Sequence, residues 1–143
     1  MATLEKALQI SAKAHEDQVD KAGQPYILHP IRVMLRVQTE AERITAVLHD
    51  VVEDTEVSLE DLEKAGFSAE ILDAVDALTK RREETRLEAA ARAVNNPIAR
   101  VVKIADNAEN MDLSRINNPT EKDFARLEEY RAVRDVLLFK NKQ

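Results

Sequence analysis

The chain has no cysteine and no tryptophan, and it has only two glycines and four prolines among 143 residues. The absence of cysteine excludes disulfides and thiolate chemistry, including thiolate metal ligands. So little glycine and proline leaves few turn residues for a many-stranded sheet and therefore favours helices. Aromatic residues make up 3% of the chain, so we expect a core of leucine, isoleucine, valine and alanine.

Long apolar runs and an excess of positive charge are also missing. No segment is apolar over a length that predicts a transmembrane helix, and residues 1–13 mix polar and apolar side chains, unlike a signal peptide. We therefore expect a cytoplasmic protein without a membrane partner. The net charge of −6 argues against a DNA or RNA binder, which needs a basic face. It does not exclude a phosphorylated small molecule, because a bound divalent cation can reverse the local charge.

Length and pattern indicate one all-α domain. With 44% hydrophobic and 34% charged residues, the chain can bury one core but is too short for two, so we expect a single domain over residues 1–143. Apolar positions recur at helical spacing, divided by capping residues, glycines and prolines. The eight or so predicted helices cover residues 4–15, 30–37, 40–52, 59–64, 68–78, 80–96, 98–112 and 120–139.

Two histidines and two aspartates suggest a metal site. His49 and Asp50 are adjacent near the end of an apolar helix. The side chains of adjacent helical residues point about 100° apart, so the two can bind one ion only together with ligands from elsewhere in the chain. His29 lies at a loop-to-helix corner, and Asp106 continues an apolar stripe, where an unpaired carboxylate is costly to bury. Two imidazoles and two carboxylates suit a six-coordinate Mn²⁺, Fe²⁺ or similar ion with positions open for water and phosphate.

Each part of this set has a simpler interpretation. A His-Asp dipeptide is common without a metal, and His29 alone is more often a capping or core residue. Asp106 could instead pair with Lys103 or Arg100. The combination favours the metal, because two of the three histidines in the chain enter it. The third, His15, is predicted to pack against the site or support it without binding the ion.

Three strings of sequence carry a resemblance to a known family. They are KAGQPYILHP from Lys21, LHDVVEDT from Leu48 and KIADNAENM from Lys103. In this order, within residues 14–130, they resemble the hydrolase domain of RelA/SpoT proteins, and more closely the small stand-alone alarmone hydrolases of the metazoan SpoT homologue type. The resemblance implies an α-helical HD-domain bundle that uses Mn²⁺ to remove pyrophosphate from the 3′ position of guanosine tetra- and pentaphosphate.

The resemblance also implies roles for individual residues. The implied metal ligands are His29, His49, Asp50 and Asp106. Glu53 and Asp54 are implied to act at the attacking water and the leaving group, where acid–base groups must lie within hydrogen-bond reach. The implied substrate contacts are Lys21, Asn110, Arg126 and Tyr130. Of these, Arg126 and Tyr130 are four residues apart on the last predicted helix and can point at one site.

The implied catalytic and substrate residues also have simpler interpretations. Glu53 and Asp54 could be a solvated acidic helix end. Arg126 could pair with Asp123 or Glu129. Lys21 could simply be exposed in its loop, and Tyr130 could be half-buried without contacting a substrate.

Four positions depart from the pattern of the family, and one of them is Asp17, which stands where a glycine is usual. Asp20, Asn107 and Glu109 are acidic or neutral where that family often has basic or aromatic residues. We expect them at substrate contacts or at the rim of the cleft, where a like charge weakens polyphosphate binding. The best interpretation is a metal-dependent nucleotide phosphohydrolase, specifically a (p)ppGpp 3′-pyrophosphohydrolase. The alternatives are an HD phosphatase for another nucleotide or phosphorylated cofactor, and a nucleotide-binding HD module without turnover.

Overall fold

The computed structural model describes residues 2–114 and 116–139. Within these residues the chain forms nine α-helices and no strand, apart from an isolated bridge between Val19 and Pro25. The helices are α1 (Leu4–Ala14), α2 (Leu28–Leu35), α3 (Glu40–Leu48), α4 (Val51–Asp54), α5 (Leu59–Lys64), α6 (Ala69–Leu78), α7 (Arg86–Ala93), α8 (Pro97–Asn110) and α9 (Glu121–Phe139). The all-α prediction is confirmed. In the described part of the chain, none of the helices combines the length and apolar character needed to cross a bilayer.

Most helix starts follow local capping signals. The Thr3 hydroxyl accepts a hydrogen bond from the Lys6 backbone N–H at 3.1 Å and caps α1. The two predicted capping boxes, Ser58 with Asp61 and Thr120 with Asp123, are both present. Such caps satisfy N–H groups that have no partner inside the helix, so they fix where a helix begins.

Two predicted helices differ from the structure. The helix expected over residues 40–52 is interrupted after Leu48 by a turn at His49 and Asp50, and α4 begins at Val51. The helix expected from residue 80 begins only at Arg86, because a capping box starts there and the residues before it form a loop. Both differences lie beside the predicted catalytic residues, and the first explains why there are nine helices rather than about eight.

The core is aliphatic, as expected, and α3 lies at its centre, packed against α1, α2, α6 and α8. One cluster joins α3 to α1, α5 and α6 through buried residues that include Val47, Leu48, Leu62, Ile71 and Val75. A second joins α3 to α2 and α8 through Val33, Val37, Ala46, Val102 and Ala105. Each fully buried aliphatic side chain contributes about 1.5–3 kcal/mol, so the elements that carry the predicted ligands are firmly held together.

Candidate metal centre

The four predicted metal ligands converge on one point between α2, α8 and the turn after α3. The Oδ1 atom of Asp106 lies 2.8 Å from the Nε2 atom of His29 and 3.2 Å from the Nε2 atom of His49. The Oδ2 atom of Asp50 lies 3.0 Å from His49 Nε2 and 4.0 Å from His29 Nε2. His29, His49 and Asp106 are buried. Because His49 and Asp50 lie in the turn that interrupts the predicted helix, both of their side chains reach the point where His29 and Asp106 meet.

These distances fit the ligand shell of a single ion. Ligand atoms about 2.1 Å from an octahedral ion are about 3.0 Å apart when adjacent and about 4.2 Å apart when opposite. Three of the four measured separations are close to the adjacent value, and the separation of His29 from Asp50 is close to the opposite value. Two nitrogen and two oxygen donors suit a divalent first-row ion and leave two of six positions free. The cluster can therefore hold a divalent metal ion.

The orientation of His49 also suits a metal ligand. Its Nδ1 atom lies 2.5 Å from the Ala46 carbonyl oxygen, which can only accept, so Nδ1 donates and Nε2 faces the carboxylates. Burial alone would lower the pKa of His49, but Asp50 and Asp106 outweigh it and raise that pKa well above its usual value. Burial would likewise raise the pKa of Asp106, yet Lys103 and His49 hold it well below its usual range. The site thus favours positive charge beside its carboxylates.

Two further residues hold the carboxylates in place: Tyr26, which the sequence analysis did not select, and Lys103, which it named only as an alternative partner of Asp106. The Tyr26 hydroxyl donates to Asp50 Oδ2 at 2.5 Å, and burial, followed by the charge of Asp50, raises the pKa of Tyr26. The Lys103 ammonium lies 3.2 Å from Asp106 Oδ2. Their positions offered a signal: Tyr26 and Lys103 each lie three residues before a predicted ligand, His29 and Asp106 respectively.

The simpler interpretations of this region hold only in part. Asp106 does pair with Lys103, but through one oxygen, while its other oxygen faces the histidines. Arg100 instead donates to the Leu137 carbonyl at 3.0 Å. His15 is 2% exposed, and its ring centroid lies 4.8 Å from that of Tyr26. His15 therefore lies behind the cluster rather than in it.

Glu53 and Asp54 lie on the short helix α4, at the exposed edge of the centre. Asp50, Glu53 and Asp54 present carboxylate oxygens within 4.8 Å of one another. The Lys80 backbone N–H donates to Glu53 Oε1 at 2.7 Å and orients that carboxylate. Partial burial, followed by the charges of Asp50 and Glu53, raises the pKa of Asp54 to about 6. A carboxyl group with this pKa can exchange protons near neutral pH.

A cavity of about 380 Å³, here called the Lys21 cavity, opens beside the centre. Its lining includes three of the predicted metal ligands and all four predicted substrate contacts, namely His29, Asp50, Asp106, Lys21, Asn110, Arg126 and Tyr130. The Asn110 side-chain amide lies 3.4 Å from Asp106 Oδ1. The structure therefore brings together residues from the loop before α2, from α8 and from α9.

The predicted partners of Arg126 are engaged elsewhere. Asp123 lies 4.0 Å from the Lys21 ammonium, and Glu129 lies 3.0 Å from Arg86 Nε. Over residues 2–114 and 116–139, no ion pair to Arg126 is present. Arg86 lines the Lys21 cavity too, although the sequence analysis did not select it.

The expectation that Asp20, Asn107 and Glu109 share the substrate rim is wrong for Glu109. Glu109 is buried and pairs at 2.5 Å with Arg36, the residue directly after α2, because its face of α8 packs toward that helix. Asn107 is also buried, and its amide donates to the Tyr130 carbonyl at 2.9 Å. Only Asp20 lines the Lys21 cavity, and its Oδ1 atom accepts two backbone N–H groups of its own loop at 2.9 Å.

A family model described as "HD domain" matches residues 7–105, which contain His29, His49 and Asp50. The chain belongs to the HD-domain family. Its HD pair is the dipeptide at the turn after α3, and Asp106 follows directly after the matched region.

Comparison with curated proteins narrows the family. The chain is 34% identical over 129 residues to the guanosine-3′,5′-bis(diphosphate) 3′-pyrophosphohydrolase MESH1 of Drosophila melanogaster, covering 80% of this chain and 71% of that protein. It is 34% identical over 122 residues to the protein of the same activity name from Vibrio cholerae, covering 76% of this chain but 17% of that protein. The HD domain described here is thus homologous to SpoT/RelA hydrolases and spans a small part of the long bacterial ones.

A solved structure supports the same relationship. It is described as "A metazoan ortholog of SpoT hydrolyzes ppGpp and plays a role in starvation responses". The two folds superpose with a TM-score of 0.80 at 27% identity, over 97% of this chain and 87% of the other. The α-helical HD-domain fold expected from the sequence is confirmed.

Proposed function

We propose that this chain is a divalent-metal-dependent (p)ppGpp 3′-pyrophosphohydrolase, formed by one domain over residues 1–143 and working in the cytoplasm. The observation that supports this best is the cluster of two histidines and two aspartates at the edge of the Lys21 cavity. Its setting adds support, because proteins named for this activity match most of the chain. Mn²⁺ is the proposed ion, since mixed imidazole and carboxylate donors suit it.

The proposed ligands are His29, His49, Asp50 and Asp106. When bound, the ion would lower the pKa of a coordinated water and polarise a phosphate oxygen. The protein contributes ligand orientation: Tyr26 holds Asp50, Lys103 holds Asp106, and the Ala46 carbonyl holds the His49 ring. Hydrogen bonds of this kind to ligands strongly influence metal affinity.

The proposed reaction is an in-line hydrolysis at the phosphorus attached to ribose O3′. A bond forms between the water oxygen and this phosphorus, and the bond from phosphorus to O3′ breaks. The water loses a proton and O3′ gains one, so guanosine tetraphosphate gives GDP and pyrophosphate. Glu53 and Asp54 are proposed to transfer these protons. The hydrogen bond from Lys80 to Glu53 keeps one of the two carboxylates oriented.

Substrate binding is proposed to use the lining of the Lys21 cavity. Lys21 and Arg126 supply positive charge for phosphate oxygens, as in other charge-assisted contacts. Tyr130 offers a ring for stacking and a hydroxyl for hydrogen bonding, and Asn110 adds an amide beside the metal centre. The nucleotide would then reach the proposed ion where Asp50 and Asp106 line the cavity.

The test is to incubate the Mn²⁺-loaded protein with guanosine tetraphosphate and separate the products by anion-exchange chromatography. GDP and pyrophosphate in equal amounts, without GTP or free phosphate, are expected. An Asp106→Ala variant is the control for contaminating activity. If the protein ignores the alarmone but cleaves a nucleoside monophosphate, it is an HD phosphatase of another substrate. If it binds nucleotides and cleaves none, it is a binding module.

A further inference from the structure

A second cavity, of about 320 Å³, adjoins the Lys21 cavity and is here called the His49 cavity. The residues that line both cavities are Asp50, Glu53, Arg86, Lys103, Asn110 and Tyr130. Of the other predicted ligands, His29 and Asp106 line only the Lys21 cavity, whereas His49 lines only the His49 cavity. An ion held by these side chains would therefore lie at the junction of the two cavities.

The two cavities differ in charge. Among the residues that the structure describes, six carboxylates and four lysines or arginines line the Lys21 cavity. The His49 cavity has three cations, Lys80, Arg86 and Lys103, against two carboxylates, and both of these carboxylates belong to the metal centre or its edge. Away from the centre, its remaining lining is apolar or neutral and includes Leu78, Ala89, Ala93, Asn107 and Val133. A small, highly charged anion thus finds a more favourable potential in the His49 cavity than in the Lys21 cavity.

We propose that the His49 cavity binds the 3′-diphosphate of the substrate and then the pyrophosphate product, while the nucleoside occupies the Lys21 cavity. This inference rests on the proposed function. Cleavage between O3′ and phosphorus divides the substrate into a nucleoside part and an inorganic diphosphate, and the two must extend from the reacting phosphorus in different directions. The cavities meet at the centre where that phosphorus is held. The diphosphate needs cations, whereas the nucleoside is matched by Tyr26, Leu113, Ile116 and Tyr130 in the Lys21 cavity.

Arg86 is positioned to contact the diphosphate. Its Nε atom lies 3.0 Å from Glu129 Oε1, and its guanidinium carbon lies 5.9 Å from the centre of the Tyr130 ring. These two contacts from α9 hold the guanidinium at the boundary of the two cavities. A planar guanidinium forms paired hydrogen bonds with phosphate oxygens.

Lys80 connects the proposed diphosphate site with the proposed acid–base pair. Its backbone N–H holds Glu53, its ammonium donates to the Arg81 carbonyl at 3.1 Å, and the residue lines the His49 cavity. The substitution Lys80→Met removes the ammonium group but retains the backbone N–H. It therefore tests the phosphate contact without removing the hydrogen bond that orients Glu53.

The experiment is isothermal titration calorimetry of inorganic pyrophosphate and, separately, GDP. Mg²⁺ is in excess in both cell and syringe so that the heats of chelation cancel. Lys80→Met should weaken pyrophosphate binding about tenfold or more, the usual loss for a hydrogen bond to a charged group, and change GDP binding less than about twofold. Arg86→Met should weaken pyrophosphate binding by a similar factor and GDP binding by a smaller one, because Arg86 lines both cavities and lies against the Tyr130 ring. Arg126→Met, in the Lys21 cavity, should do the reverse of Lys80→Met. Arg82→Met is the matched control, because Arg82 is exposed in the same loop and lines neither cavity.

The outcomes separate this inference from the proposed function. The inference is overturned if wild-type protein does not bind pyrophosphate, if neither cavity variant weakens that binding, or if Arg126→Met weakens it as much as they do. Melting temperatures of the variants exclude loss of folding as the cause of weaker binding. The titrations need no turnover, so they are independent of the hydrolysis assay. If the protein hydrolyses the alarmone but both variants bind pyrophosphate as the wild type does, the inference is overturned and the proposed function is not. Failure to hydrolyse the alarmone overturns the proposed function whatever the titrations give.

Discussion

The metal centre and the outer part of the Lys21 cavity are held by different parts of the fold. His29, His49 and Asp106 are 7%, 4% and 5% exposed, and each is within hydrogen-bond distance of another member of the cluster. At the rim, the Lys21 side chain is 48% exposed and its only recorded ion pair within the described residues is a long one to Asp123. The centre is thus fixed by the core, whereas the rim is held by weaker, solvent-screened contacts.

The attachment of α9 adds to this difference. The buried apolar contacts of α9 with α7 and α8 form a small cluster of Ala90, Val133 and Leu137, whereas α3 packs against four other helices. We therefore expect the proposed chemistry to depend on a rigid arrangement, and the proposed substrate contacts to lie on elements that can change at little cost to the fold. Substitutions at the centre should remove metal or turnover, and substitutions at the rim should alter the Michaelis constant.

The largest effect is expected from Asp106→Ala. The change removes the carboxylate that faces both histidines and leaves Lys103 without its partner, so neither bound metal nor activity should be detectable. His15→Ala is the comparison variant and should keep most of the metal, because His15 contacts Gln18 and Tyr26 rather than the cluster. Elemental analysis measures both. Equal loss of metal in the two variants would contradict the ligand assignment.

Glu53→Gln and Asp54→Asn should retain the metal and the fold but lose turnover. General acid–base groups contribute about 10²–10⁴-fold to rate, and we expect losses of kcat in this range. Glu56→Gln is the matched control, an exposed carboxylate two residues further on that lies outside the Asp50–Glu53–Asp54 group. Single-turnover kinetics with elemental analysis separates loss of chemistry from loss of metal. Near wild-type rates in both variants would show that Glu53 and Asp54 have a structural role and do not transfer protons.

Tyr26→Phe tests whether the centre depends on the hydrogen bond to Asp50. The ring remains to pack on His15 and His29, while the 2.5 Å contact to Asp50 is lost. Metal affinity should fall about 10–100-fold, as is typical when a hydrogen bond to a ligand is removed. Competition with a chelator measures the affinity, and Tyr130→Phe, which removes a hydroxyl outside the ligand set, should leave it unchanged. An unaltered affinity in Tyr26→Phe would show that the fold alone orients Asp50.

The smallest effect is expected at the rim, from Asp20→Asn. The amide oxygen can still accept the two backbone hydrogen bonds that Asp20 makes in its loop, but the negative charge is removed. The Michaelis constant for the alarmone should fall about 2–5-fold, since the charge is screened by solvent, with kcat unchanged. Asp20→Arg would instead break the loop hydrogen bonds. A change in kcat with Asp20→Asn would mean that the loop takes part in the chemistry, against the comparison drawn above.

The sequence by itself determined the helical class, most helix starts and the candidate ligands. Caps such as Ser58 with Asp61 act over three residues, so they can be read locally and are present as expected. Three short strings that contain His29, the HD pair and Asp106 predicted the candidate ligands, and the structure brings these four side chains together. Residue type and spacing along the chain are enough to predict helix caps and candidate ligands, because residue type and spacing do not depend on how the helices pack.

Only the tertiary structure decided how these residues are used. Periodicity predicted a continuous helix through His49 and Asp50, but these two residues form a turn, in which the Ala46 carbonyl holds the His49 ring and Tyr26 holds Asp50. Nothing local indicates that Lys80 orients a carboxylate 27 residues earlier or that Glu109 turns away to Arg36. These contacts join segments far apart in the chain. They follow from which helix faces are buried against each other, and that is settled by the whole core rather than by any one stretch of sequence.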